Sequence, residues 1–218
     1  MTTAREMSLI VRELRREVMR FPATTLEQIA EARDPFKILI SCILSLQTRD
    51  AVTAQTSRQL YAVAQTPEEI LALSLARLRK LIYPSSFYKT KAQVIHGVCR
   101  DLIARFDGRV PEMLDQLLTL KGVGRKTANL VVTMGFGQLG IAVDTHVHRI
   151  SNRLGWVTTK SPDHTELALR ASLPPRHWIE INELLVTFGQ HVCTPLSPKC
   201  SQCAIAKWCA RVGVTRSR

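Results

Sequence analysis

The sequence has few acidic residues. It contains 18 Asp and Glu against 30 Lys and Arg, which gives a formal net charge of +12 at pH 7 and a sequence pI near 9.9. An excess of positive charge favours a polyanionic partner, and nucleic acid is the most common one. A solvated basic surface with no specific partner would have the same composition, because net charge reports on association and not on fold.

Long apolar runs are also missing. The longest, residues 38–46, is interrupted by Ser41 and Ser45 and is far too short to cross a bilayer, so we expect no membrane partner. The first residues contain no apolar signal segment, so we expect a cytoplasmic protein. Low-complexity linkers and repeats of solenoid length are absent too. Hydrophobic residues make up 45% of the chain, which is ample for a packed core.

Strand patterns are missing as well, and the sequence predicts an all-α fold. The apolar segment 141–143 is too short for a convincing strand. Asp34-Pro35 predicts a helix start, and Thr66 predicts a capping box. A longer helix is expected over 88–106, ending at Asp107-Gly108. In the C-terminal third, further helices are expected over 146–154, 165–172 and 176–190.

Cysteines are few, but four of the six stand close together. They are Cys193, Cys200, Cys203 and Cys209. In a cytoplasmic chain, cysteines indicate metal ligation more than disulfides. Four thiolates within 17 residues can close on one metal centre, which is either an iron–sulfur cluster or a tetrahedral zinc ion. The remaining two, Cys42 and Cys99, lie in helical apolar patterns and are expected to be buried as small hydrophobic residues.

A glycine turn joins two predicted helices at Gly122-Val123-Gly124. Glycines leave backbone N–H groups uncovered, and a helix that starts directly after them can bind a phosphate with its N-terminal amides. Lys121, Arg125 and Lys126 surround the turn with positive charge. Such a hairpin grips DNA without reading its sequence. The alternative interpretation is an ordinary tight connection between two helices, which would need the glycines but not the basic residues. The basic neighbours therefore favour phosphate binding.

Lys126 and Asp144 form a candidate catalytic pair. A lysine amine can attack a sugar carbon and form a Schiff base, and a carboxylate can stabilise an oxocarbenium-like sugar and manage the amine proton. The spacing of the two residues alone is equally typical of a surface lysine and a helix-capping aspartate, with Asp144 preceding His146.

The hairpin segment 122–129, the segment 143–146 and the terminal cysteines together resemble the endonuclease III family. Its members are helix-hairpin-helix base-excision DNA glycosylases that carry a [4Fe–4S] cluster. The resemblance runs from about residue 8 to residue 210, with the motifs in order and at matching spacings. It implies duplex DNA with a damaged base or an abasic site as the partner.

The resemblance also implies a fold. The expected fold is the two-lobed, all-α helix-hairpin-helix glycosylase fold with a C-terminal iron–sulfur cluster loop. Residues 28–138 would form a helical barrel domain that contains the hairpin. Residues 1–27 and 139–218 would form a discontinuous cluster domain. We expect a monomer.

The activity implied by the resemblance is that of a bifunctional DNA glycosylase and AP lyase. The enzyme would excise oxidised pyrimidines through a Schiff base at Lys126, with Asp144 as the catalytic aspartate. It would then cleave the strand 3′ to the abasic site by β-elimination. Cys193, Cys200, Cys203 and Cys209 would be the ligands of the [4Fe–4S] cluster.

Other positions match the family at the level of DNA contacts. Gln47, in the segment 45–50, would fill the space left by a flipped nucleotide. Phe87, in the segment 86–88, would wedge into the opposite strand. Alternatively, Gln47 is a polar helix end before an N-cap at Asp50, and Phe87 is a core aromatic. The full set of expected DNA-binding residues is Gln47, Phe87, Lys121, Gly122, Gly124, Arg125 and His146.

Some positions depart from the family pattern, and two other functions stay open. Lys121 replaces a common proline, and His148 stands where an apolar residue is expected. An adenine-mismatch glycosylase would carry a glutamate where Cys42 stands, and it would lack Lys126. A non-catalytic, metal-bearing DNA-binding protein would share the hairpin and the cysteines without using Lys126 as a nucleophile.

Overall fold

The computed structural model describes residues 3–218, so Met1 and Thr2 of the N-terminal segment lie outside it. Residues 3–218 form twelve α-helices and no strand, which confirms the predicted all-α class. The helices are α1 (Ala4–Val18), α2 (Thr25–Ala30), α3 (Pro35–Ser45), α4 (Asp50–Tyr61), α5 (Pro67–Ala72), α6 (Leu75–Leu81), α7 (Tyr88–Phe106), α8 (Leu114–Leu118), α9 (Arg125–Leu130), α10 (Thr145–Leu154), α11 (Pro162–Ser172) and α12 (Ile181–His191). Shorter turns of other helix types cover Val131–Gly135, Pro175–His177, Cys200–Gln202 and Ala206–Trp208.

Capping side chains explain most of the helix starts. The Asp34 carboxylate accepts hydrogen bonds from the N–H groups of Phe36 (3.0 Å) and Lys37 (3.1 Å) and starts α3. Thr66 forms the predicted capping box with Glu69 at the start of α5. The structure therefore confirms both predicted helix starts.

Two predicted helix starts in the C-terminal third were wrong. α11 begins at Pro162, before the predicted residue 165, because the Ser161 hydroxyl caps the N–H of His164 at 3.3 Å. The helix expected from residue 176 begins only at Ile181. Pro175 opens a 3₁₀ turn there instead. The N–H of Trp178 donates to the carbonyl of Pro175 at 3.1 Å, and this bond between residues three apart closes a 3₁₀ turn in place of an α-helical one.

The chain divides into two compact units. Residues 24–138 contain α2 to α9 and are called the hairpin unit here. Residues 3–23 and 139–218 contain α1 and α10 to α12 and are called the cysteine unit.

The hairpin unit is built around α3. This helix is apolar on all sides and packs against α2, α4, α7 and α9. Its residues Leu39, Ile40 and Leu44 are fully buried. The turn that follows α3 therefore starts from a helix that is packed in the core.

The cysteine unit has its own core, in which α12 packs against both α1 and α10. Ile10, Leu14, Ile150 and Phe188 are among its buried residues. An Arg15–Glu180 ion pair with two hydrogen bonds of 2.6 Å joins α1 to the residue before α12. None of the helices in residues 3–218 is both long and apolar enough to cross a membrane.

Candidate functional site

The predicted helix–turn–helix hairpin is present between α8 and α9. The N–H of Val123 donates to the carbonyl of Leu120 at 3.0 Å and closes the turn, so the hairpin forms with Lys121 in place of proline. Gly122 has a φ of +90°, and a Cβ at this position would lie 2.5 Å from a methyl group of Val94. Only glycine fits there without a shift of the neighbouring helix. Gly124 is the residue from which α9 starts.

Lys126 is the second residue of α9 and is half-buried. The next residues of this helix, Thr127 and Ala128, are buried, so the first turn is anchored in the core. Lys126 also lies close enough to Cys42 to act on it electrostatically. Burial raises the pKa of the Cys42 thiol to about 12, and the positive charge of Lys126 acts in the opposite direction. Cys42 is therefore a protonated core thiol, as predicted, and Cys99 is buried likewise.

Gln47 and Phe87 both lie in exposed turns of the hairpin unit. Their φ angles are +52° and +55°, in the left-handed region that side chains rarely adopt. Phe87 is 66% exposed, so its alternative role as a core aromatic is wrong. The alternative N-cap at Asp50 is also wrong, because α4 starts from Arg49 and the Asp50 carboxylate accepts a 2.8 Å hydrogen bond from the Thr25 hydroxyl.

Lys91, which no sequence motif singled out, lies inside α7 and is 6% exposed. Its ammonium nitrogen donates to the carbonyl oxygens of Leu44 and Leu46, each at 2.7 Å. These are two of the last carbonyls of α3 and the turn after it, which have no helical partner of their own. One sequence signal was available, because Lys91 shares the apolar stripe of α7 with Ile95.

Asp144 is the N-cap of α10. Its Oδ1 accepts hydrogen bonds from the N–H groups of His146 (2.8 Å) and Val147 (2.9 Å), and Oδ2 takes no part in this cap. The buried segment 141–143 leads into it. The capping interpretation of Asp144 is thus confirmed by the geometry. A capping role and a catalytic role are compatible, because each needs only one carboxylate oxygen.

The two histidines of α10 have different surroundings. His146 is half-buried, and its Nδ1 lies 3.1 Å from a guanidinium nitrogen of Arg149. His148, which the apolar pattern did not explain, lies 2.7 Å from the hydroxyl of Thr165 on α11. His148 therefore joins α10 to α11 through a polar contact where the sequence suggested an apolar one.

The four terminal cysteines line one cavity and are all partly exposed free thiols. Burial, together with the neighbouring sulfur groups of Cys209, Cys193 and Cys200, raises the pKa of Cys203 to about 11. The N–H of Arg211 donates to the sulfur of Cys209 at 3.4 Å. Across residues 3–218, no three His, Cys, Asp or Glu side chains form a group that could hold a metal ion.

Arg153 of α10 holds the loop that begins at Cys193, a contact that no sequence motif predicted. Its guanidinium donates to the carbonyls of Thr194 (2.8 Å) and Pro195 (2.5 Å) and to the Cys193 sulfur (3.4 Å). Arg149, one turn earlier, donates to the Cys193 carbonyl at 2.9 Å. Burial lowers the pKa of Arg149. Two arginines of one helix therefore fix the position of Cys193, the first of the four terminal cysteines.

The chain is similar in sequence to known DNA repair proteins. Residues 40–175 match the family described as "HhH-GPD superfamily base excision DNA repair protein". The chain is 45% identical to Endonuclease III of Thermotoga maritima over 92% of each protein. It is 41% identical to Endonuclease III homolog 1, chloroplastic, of Arabidopsis thaliana over 80% of this chain and 48% of that protein.

A solved structure is similar in fold and sequence. It is described as a trapped Endonuclease III–DNA covalent intermediate in an estranged-adenine complex. The TM-score is 0.78 at 35% identity, and the match covers 85% of this chain and 92% of that one.

Proposed function

The chain belongs to the HhH-GPD superfamily of base excision DNA repair proteins and, within it, to the endonuclease III family, and from this premise we propose how its residues perform the reaction. The chain is a bifunctional DNA glycosylase and AP lyase for oxidised pyrimidines. The observation that best supports this conclusion is the 45% sequence identity to Endonuclease III of Thermotoga maritima over 92% of the chain.

Lys126 is the nucleophile of this proposal. Its amine attacks C1′ of the damaged nucleotide, the bond from C1′ to the base breaks, and the base leaves with the bonding electrons and a proton. The sugar ring then opens: the C1′–O4′ bond breaks, the amine gives its remaining proton to O4′, and an imine forms at C1′, which makes the C2′ proton acidic. Loss of that proton expels the 3′ phosphate by β-elimination, and hydrolysis of the imine frees Lys126 and leaves an unsaturated aldehyde on the nicked strand. The first turn of α9, anchored by buried Thr127 and Ala128, supports a fixed position for the amine.

Asp144 assists the first step. Positive charge develops on the sugar as the base departs, and a fixed carboxylate offsets it. The same group can take up the proton that the attacking amine loses. The two capping bonds from the N–H groups of His146 and Val147 hold the carboxylate in one orientation. A group held before the reaction begins does not need to reorganise during it.

The remaining DNA contacts come from exposed residues of the hairpin unit and from α10. Gln47 fills the gap left by the flipped nucleotide, and Phe87 separates the opposing bases. The hairpin contacts phosphate through the backbone at Gly122 and Gly124 and through Lys121 and Arg125, and α10 adds His146. The exposure of Gln47, Phe87 and Lys121 supports this assignment. We expect a monomer that works in the cell compartment that holds the chromosome.

A duplex with a single thymine glycol tests the function. We expect the purified protein to release the base and to nick the strand 3′ to the lesion, because both steps follow from one imine. Denaturing electrophoresis with and without alkali separates base release from strand cleavage. An identical duplex with an intact thymine is the control. Base release that leaves the strand intact without alkali would contradict the bifunctional assignment.

A [4Fe–4S] cluster is the cofactor of this proposal, with Cys193, Cys200, Cys203 and Cys209 as its ligands. The donor set fits, since four thiols surround one cavity and none is in a disulfide. When bound, the cluster would cross-link the C-terminal segment and stabilise its fold.

Replacement of Cys203 by Ala should cause loss of iron and of soluble protein together. The segment after Val192 has little apolar content, so its fold depends on the metal centre. Iron and sulfide analysis of the purified protein, with zinc measured in parallel, checks the prediction. Cys99→Ala, at a buried cysteine outside the cluster, is the matched control and should retain full iron. Full iron in Cys203→Ala would contradict the ligand assignment.

A further inference from the structure

The ammonium group of Lys91 lies within a polar cluster that links two exposed turns. Besides the two carbonyls at the end of α3, it donates to the hydroxyls of Thr48 (2.8 Å) and Ser85 (3.0 Å). An ammonium group has three N–H donors, so four oxygens engage all of them. Burial lowers the pKa of Lys91 to about 8, which leaves the group mainly protonated at neutral pH. All donors are therefore in place under physiological conditions.

The partners of Lys91 flank the two turns that carry Gln47 and Phe87. Gln47 stands between Leu46 and Thr48, which both accept hydrogen bonds from Lys91. Ser85 opens the second turn, and the backbone N–H of Lys91 donates to the carbonyl of Phe87 at 2.9 Å.

Thr48 also connects the two turns directly. Its hydroxyl oxygen accepts from the N–H of Ser86 at 3.2 Å and lies 3.4 Å from the hydroxyl of Ser85. Lys91 and Thr48 therefore hold the two turns together, although Thr48 and Ser86 are 38 residues apart in the sequence.

Both turns need such support, because Gln47 and Phe87 have positive φ angles. A residue without a glycine's freedom keeps this backbone only where the surrounding structure enforces it. The positive charge of Lys91 is also favourable at this place. The carbonyls at the C-terminal end of α3 have no helical N–H partner and carry partial negative charge.

We propose that Lys91 is a positioning residue that holds the Gln47 and Phe87 turns at a fixed separation, so that both side chains enter a damaged duplex together. This inference rests on the proposed roles of Gln47 and Phe87. Lys91 does not act as a second nucleophile, because its side chain is buried and its three N–H groups are engaged. Its effect on the reaction is transmitted through the two turns.

A comparison of Lys91→Met with Lys89→Met tests the proposal. Lys89 is an exposed lysine two residues away, so its substitution removes the same charge without touching the polar cluster. Under single turnover on a thymine glycol duplex, we expect Lys91→Met to release the base at least about tenfold more slowly, since small displacements of positioning groups have effects of this order. Lys89→Met should stay within about twofold, and both should bind undamaged duplex equally.

A double-mutant cycle distinguishes positioning from stability alone. Gln47→Ala is measured in the wild-type and in the Lys91→Met background, with thermal melting to establish the folded fraction. If Lys91 acts through Gln47, the two losses overlap and the double variant is little worse than Lys91→Met. Additive losses would overturn the proposal. If Gln47→Ala and Phe87→Ala lose nothing in the wild-type background, the insertion roles fail instead.

Thr48→Val repeats the cycle with a smaller perturbation. It removes the hydroxyl shared by the two turns and leaves the buried cation with its carbonyl partners. Should Lys91→Met not fold, the same overlap with Gln47→Ala is expected for Thr48→Val. Additivity there would equally contradict the proposal.

Discussion

Lys126→Gln should bind lesion DNA and form no covalent complex with it. Glutamine keeps the length and polarity of the side chain but has no nucleophilic amine, so no imine can form. Sodium borohydride reduces an imine to a stable secondary amine, which makes the crosslink a direct measure of this step. We expect trapping and β-elimination to fall below detection, with a melting temperature close to that of the wild type. Electrophoresis of the trapped complex checks the prediction.

Lys121→Gln is the matched control for this substitution. Lys121 is a lysine of the same hairpin, but it lies before the glycine turn and is exposed. Its loss should weaken DNA binding through a phosphate contact and leave trapping intact at saturating protein. Normal trapping by Lys126→Gln would show that another amine is the nucleophile, and the proposed mechanism would then be wrong.

Asp144→Asn should slow base release by about 100-fold or more, the scale of a lost positioned acid–base group. Asparagine is as good an N-cap as aspartate, so its amide oxygen can still accept the N–H bonds of His146 and Val147. The substitution therefore removes the charge and keeps α10 capped. Single-turnover kinetics on a thymine glycol duplex, together with a thermal melt, measure the two properties separately.

Asp34→Asn provides the corresponding control. Asp34 caps α3 through the N–H groups of Phe36 and Lys37, which is the same bonding pattern as at Asp144. We expect little change in either stability or base release for Asp34→Asn. If Asp144→Asn behaved like Asp34→Asn, then Asp144 would be a cap and nothing more.

Local sequence signals predicted a large part of the fold. The helix expected over 88–106 is α7, Tyr88–Phe106, because Asp107 and Gly108 adopt the left-handed backbone that ends it. The capping residues Asp34 and Thr66 act within three or four positions of themselves, so the sequence alone contains the information. The 3₁₀ turn at Pro175 shows where prediction from periodicity fails. The helical pattern of apolar residues continues through this turn, but the backbone is not α-helical there.

The contacts of the candidate site between residues far apart in the sequence could not be predicted. Lys91 meets acceptors that lie 43 to 47 residues earlier in the chain, and no helical period encodes such a pairing. The positive φ angles of Gln47 and Phe87 were equally unreadable, since neither residue is a glycine. His148 is similar, because its partner Thr165 belongs to the next helix.

The most direct test of the mechanism is to identify the amino acid that is attached to DNA. The wild-type protein is trapped with borohydride on a duplex that carries one thymine glycol, digested with nuclease and protease, and analysed by tandem mass spectrometry. The proposed mechanism predicts a reduced deoxyribose adduct on the side chain of Lys126. An adduct on Lys121, on Lys91 or on the N-terminal amine would contradict it.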